Sequence, residues 1–157
     1  MALTDSGRGL DASYPAHAGQ VPLIRRAVAG VATGCGADRD TLTRIGLAVT
    51  EAATNVVLHA YRRSQDSERI YVRAQADGPC LAVSIRDNGV GMAPRPDSPG
   101  LGLGLSLMAH EAESCEIRAP QGGGTEVLLR FALGRHGGSG AWTGALYAAG
   151  HGAGAMV

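Results

Sequence analysis

Glu51 and Asn55 stand four residues apart in the run EAATNVVLHAY (51–61), with His59 a further four along. On a helix this spacing stacks the three side chains in one column. A carboxylate beside a carboxamide could take a proton from a hydroxyl group while an amide oxygen meets a hydrated magnesium ion, a hard cation that keeps most of its waters. The same residues also fit a plain exposed polar stripe. A second acid, Asp87, opens the run DNGVG (87–91). Leu81, Val83 and Ile85 alternate with Ala82, Ser84 and Arg86, so the strand delivers Asp87 at its end, where a side chain can face a cleft. Its carboxylate accepts hydrogen bonds and donates none, which would pair it with the amino group of adenine and set it against the carbonyl of guanine.

Gly89 and Gly91 carry no side chain and let a flat base or ribose approach the backbone, although Asp-Asn-Gly is equally a tight-turn sequence between strands. The glycine run PGLGLGL (99–105) follows. Gly100, Gly102 and Gly104, with Leu101, Leu103 and Leu105 between and after them, sit where a loop enters a helix, so free amides and the positive helix end can face a phosphate chain. Ser106 can add a hydroxyl. The run lacks the GK[ST] of a Walker loop and no strand directly precedes it, so neither of those phosphate motifs applies; a flexible hinge without ligand is the alternative. Thr125 follows three glycines and could reach a base edge directly or through water. His17, His110, His136 and His151 have no ligand-like spacing, and no nucleophile elbow is present.

Elements that could position these residues are legible along the chain. Leu10 to His17 reads as an edge strand, because Pro15 near its end lacks a donor. Val21 to Thr33 carries a helical apolar stripe that stops at Gly34 and Gly36. Asp38 or Asp40 can cap a second helix, whose Leu42, Ile45, Val49, Ala52, Ala53, Val56 and Ala60 recur at three- and four-residue intervals. Polar Arg62 to Arg69 breaks that pattern. Ile70 to Gln75 and Leu81 to Arg86 form a hairpin around Asp77, Gly78 and Pro79. Asn88 to Gly100, with Pro94, Pro96 and Pro99, is a loop; Leu101 to Ala112 resumes a helix; Cys115 to Arg118 and Thr125 to Leu133 are strands. The pattern predicts a mixed sheet with helices on one side.

A length of 157 residues and a hydrophobic fraction of 45% fit one domain, expected over residues 10–133 behind a flexible leader at 1–9. Residues 134–157, rich in glycine and alanine, bury too little to order themselves and are expected to form a mobile tail. The 14 basic and 14 acidic residues cancel, so no direct nucleic-acid or membrane partner is implied. Cys35, Cys80 and Cys115 are odd in number and widely spaced, which points to buried free thiols. No basic segment leads into an apolar stretch at the N-terminus, so the expected location is cytoplasmic.

In the order of these three runs the chain resembles the GHKL ATPase superfamily, and within it the stand-alone bacterial anti-sigma factor serine/threonine-protein kinases. Glu51 to Tyr61 is similar to the N box, Asp87 to Gly91 to the G1 box, and Pro99 to Leu105 to the G2 box; the likeness spans roughly Asp11 to Leu133. The resemblance implies the GHKL ATP-binding fold, a two-layer α/β (α+β) sandwich whose mixed, mostly antiparallel sheet carries helices on one face, with ATP and Mg2+ as cofactors. It implies Glu51 as general base, Asn55 as magnesium ligand, Asp87 as adenine partner above Gly89 and Gly91, phosphate contacts at Gly102 and Gly104, and Thr125 on the adenine side. His59, Gly100, Leu101, Leu103, Leu105 and Ser106 complete the ATP-binding set. The implied function is an anti-sigma factor that phosphorylates an anti-sigma antagonist and sequesters a sigma factor, and homodimerisation is compatible with it. One departure stands out, because relatives often carry a basic or hydroxyl residue where this chain has Gly100 and Leu101. Charge stabilisation would then fall mainly to magnesium, with Arg95 as a further candidate, and the alternative is an ATP-binding regulatory module without phosphotransfer.

Overall fold

The computed structural model describes residues 9–60, 68–89 and 101–134. Gly91, Arg95 and Gly100 lie outside them, as do most of the expected leader, the polar break after Tyr61, most of the expected 88–100 loop and nearly all of the tail. Among the described residues the chain runs β1 (Gly9–Pro15), α1 (Val21–Gly34), α2 (Arg39–Asn55), β2 (Arg69–Asp77), β3 (Cys80–Asp87), α3 (Leu101–Glu111), β4 (Ser114–Arg118) and β5 (Glu126–Ala132). The strands form one sheet in the order β1-β2-β3-β5-β4.

Each of its four pairings is antiparallel, so the sheet expected to be mixed and mostly antiparallel is antiparallel throughout the described residues. The reason is strand order: β5 returns to pair with β3 and leaves β4 on the outside, a long-range choice that local patterning does not encode. β1 takes the other edge, and there the missing amide of Pro15 costs no ladder bond. The β2–β3 hairpin turns through Gly78 and Pro79, with Gly78 at φ +59, as a two-residue loop between twisted strands requires.

Period-2 alternation sends Ile70, Val72 and Ala74 of β2, Leu81, Val83 and Ile85 of β3, and Val127, Leu129 and Phe131 of β5 to one buried face. Ile24 and Val28 of α1 and Ile45, Val49, Ala52 and Ala53 of α2 cover that face. Each fully buried Ile or Phe contributes about 1.5–3 kcal/mol relative to exposure, which is what holds the helical layer down. On the opposite face Tyr71, Arg73 and Arg130 are exposed.

The connection between α1 and α2 is set by local chemistry. Gly36, at φ +87, ends α1 in a Schellman arrangement: the Ala37 amide donates to the Ala32 carbonyl and the Gly36 amide to the Thr33 carbonyl. Asp38 then caps α2 by accepting the Thr41 amide at 2.8 Å. All three cysteines are free, half-buried rather than fully buried, and burial pushes the Cys115 thiol above its ordinary value. Among the described residues no helix is long and apolar enough to cross a membrane.

Candidate functional site

Two groups of side chains and backbone define the site. In the first, Glu51 and Asn55 lie on the last turns of α2, where α3 packs against it. The helices meet closely at Gly104: a Cβ built there would stand 3.0 Å from Glu51 Oε2, 3.4 Å from Asn55 Nδ2 and 3.7 Å from Asn55 Oδ1. Glu51, Asn55 and Gly104, widely separated in sequence, are therefore neighbours. Asn55 Nδ2 is buried and has no hydrogen-bond partner among the described residues, an unmet polar bond beside a carboxylate. The unmet Nδ2 is a donor and fits an acceptor such as a phosphate or water oxygen, while the oxygen of the same amide is the hard ligand type that suits a hydrated magnesium ion.

α3 runs from Leu101, so the amides of Leu101, Gly102 and Leu103 belong to its first turn, the part of a helix whose amides lack internal acceptors. Leu105 is half-buried against the core, and exposed Ser106, two residues on from Gly104, falls on another side of the helix. The column Glu51–Asn55–His59 does not continue as one α-helix. α2 ends at Asn55 and Val56–Ala60 forms a π-helical turn, so the α-helical spacing that links Glu51 to Asn55 stops at Asn55. That turn packs against β3, the strand that ends in Asp87.

The second group surrounds Asp87, which continues the inward alternation of β3 and is only 2% exposed. Its Oδ1 accepts the Gly89 amide at 2.8 Å, and its carboxylate also accepts from the backbone amide and hydroxyl of Thr125. The Asp87 amide in turn donates to the Thr125 carbonyl at 2.9 Å. Burial still pushes the Asp87 carboxyl above its ordinary value; those hydrogen bonds and the charge of Arg86 pull it down but do not outweigh desolvation. Thr125, itself buried, lies one residue ahead of β5 rather than within it.

Gly122, Gly123 and Gly124 all hold positive φ (+101, +92 and +85) and bring the chain back over the end of β3. A Cβ on Gly124 would collide with the Asp87 carbonyl oxygen, and one on Gly123 would come within 3.7 Å of the Gly89 carbonyl oxygen. The glycine run was visible in the sequence, but its direct pressure on Asp87 was not. Nor did spacing alone announce the contact between Gly104 and Glu51. Among the described residues no group of three or more His, Cys, Asp and Glu side chains could hold a metal ion.

A family model for the histidine kinase-like ATPase domain matches residues 14–131. The anti-sigma F factor of Pasteuria penetrans is 30% identical over 118 residues, covering 68% of this chain and 79% of that protein. That of Clostridium beijerinckii is 27% identical, covering 69% and 82%. Among solved structures, the RsbU and RsbW domains of a Mycobacterium tuberculosis protein superpose with a TM-score of 0.64 at 22% identity. That likeness covers 80% of this chain and 32% of the longer one, and it concerns the fold.

Proposed function

The chain belongs to the histidine kinase-like ATPase domain family, and we propose that it is an ATP- and magnesium-dependent protein serine kinase acting as an anti-sigma factor in the cytoplasm. Its acceptor would be a serine on an antagonist protein, and its regulatory target a sigma factor. Membership of the family implies nucleotide binding; the anti-sigma F factors it resembles support the finer assignment.

The observation that carries the kinase assignment is the meeting of Glu51, Asn55 and Gly104 at the first turn of α3. Glu51 would take the proton of the acceptor hydroxyl as its oxygen bonds to the γ-phosphorus of ATP. The bond from that phosphorus to the bridging oxygen breaks, and ADP leaves with the electron pair. Asn55 would hold magnesium, which when bound offsets the charge of the phosphates. The α3 amides would face the phosphate chain, while Asp87 and Thr125 fix the adenine edge. Positioning by these groups supplies most of the rate effect expected of phosphoryl transfer.

Incubation with γ-labelled ATP and candidate antagonist proteins tests the assignment. Labelled serine on one antagonist is the expected outcome, and Glu51→Ala should lower the transfer rate by on the order of 10²–10⁴-fold with nucleotide affinity retained. Equal transfer by Glu51→Ala would remove the general base. The composition at Gly100 and Leu101 favours a second reading, an ATP-binding module that regulates by association alone. Stable antagonist binding without label transfer would select it.

A further inference from the structure

We propose that Gly104 is a positioning residue for Glu51: its missing side chain makes the space in which the Glu51 carboxylate and the Asn55 amide are set. The role rests on the kinase function proposed above and differs from a backbone contact to phosphate, because it concerns the α2 side of the glycine. A glycine inside a helix weakens it, and α3 carries Gly104 at a buried position against α2. Flexibility alone does not account for a glycine there. The space a methyl group would occupy is bounded by Glu51 Oε2 at 3.0 Å and by both polar atoms of Asn55 at 3.4 and 3.7 Å.

The side chain that must give way is identifiable. Outside the backbone of α3 itself, the three atoms nearest to the added methyl group belong to the side chains of Glu51 and Asn55. The carboxylate, at the free end of a flexible chain, moves by a few tenths of an ångström. Asn55 is half-buried, as Glu51 is, and its Nδ2 is enclosed. A small displacement of a proton acceptor is costly because transfer requires near-attack geometry, whereas nucleotide affinity is spread over adenine and phosphate contacts.

Gly104→Ala in the full chain is the test, and alanine raises helix propensity, so the variant is expected to fold. Three readouts are compared with wild type: ADP affinity, the single-turnover rate of γ-phosphate transfer to the antagonist that wild type labels, and the Asn55 side-chain amide resonance of the nucleotide-free protein. ADP affinity should stay within about twofold while transfer falls about tenfold or more, and the Asn55 resonance should shift while the backbone amides of Gly89 and Thr125 do not. Glu51→Asp draws the carboxylate back by one methylene. Combined with Gly104→Ala it should lose less activity than the product of the two single losses.

An unmoved Asn55 resonance overturns the proposal, and so does a transfer rate equal to wild type or a loss that tracks ADP affinity. If wild type labels no acceptor, the kinase function fails by itself. The Asn55 resonance then still decides whether Gly104 sets the pair.

Discussion

Replacing Asp87 by asparagine changes one oxygen into an amide nitrogen with almost no change in shape. In the native site the carboxylate accepts from the Gly89 amide, the Thr125 amide and the Thr125 hydroxyl, and the proposed adenine amine would add another donor. Asparagine keeps one acceptor oxygen, so at least one donor must face its NH2 group. A buried group left unpaired costs about 1–3 kcal/mol, which corresponds to a loss of about 5- to 150-fold in affinity if it falls on the adenine amine. Burial of the charge is itself unfavourable, as the raised Asp87 pKa shows, so part of the cost to folding is relieved in the neutral variant. Affinity for ADP should therefore fall more than stability does. Calorimetric titration with ADP and GDP, alongside urea unfolding, separates these effects: the preference for ADP over GDP should narrow, because an amide NH2 can donate to the guanine carbonyl. Unchanged ADP affinity, or an equal loss for both nucleotides, would refute the assignment of Asp87 to the base edge.

Acidification through the raised Asp87 pKa, which lies above the ordinary carboxyl value, should weaken ADP binding, and titrations of wild type against Asp87→Asn should show the dependence only in wild type. The sign for folding is opposite. The native state holds the Asp87 proton to higher pH than the unfolded chain, so this residue's contribution to stability is greatest below the ordinary carboxyl value and declines as pH rises through the raised one; urea midpoints across that range measure it. Gly124→Ala should destabilise the fold by about 1–3 kcal/mol in urea unfolding and weaken ADP binding as well, because φ is +85 there and the added methyl group meets the Asp87 carbonyl oxygen. A midpoint equal to wild type would show that the turn yields freely.

Much of the scaffold was legible because local physics fixes it. The alternation of Leu81, Val83 and Ile85 placed Asp87 inward at a strand end, and it is buried there. The glycine stop at Gly34 and Gly36 and the cap at Asp38 form the corner between α1 and α2. What the sequence concealed depends on contacts between distant segments. The π-turn at Val56–Ala60 continues the apolar spacing of α2 without interruption and is distinguished only in three dimensions, where it packs on β3. Gly102 and Gly104 each disfavour helix by roughly 0.8–1.0 kcal/mol relative to alanine, yet α3 extends through both because it rests on α2.

The three glycine-bearing segments solve different steric problems, although composition alone makes them alike. Gly89 supplies an amide to the Asp87 carboxylate. Gly124 supplies positive φ and close approach, which lets Thr125 reach the same carboxylate from the opposite strand. Gly104 has no unusual φ to accommodate and is defined instead by the two side chains beside it. Substituting alanine at each should consequently fail differently: at Gly124 through the backbone and stability, at Gly104 through the placement of Glu51 with the fold intact. A site that merely needed flexibility would respond alike at both positions, so the contrast between these two variants separates shape-specific glycines from a loose hinge.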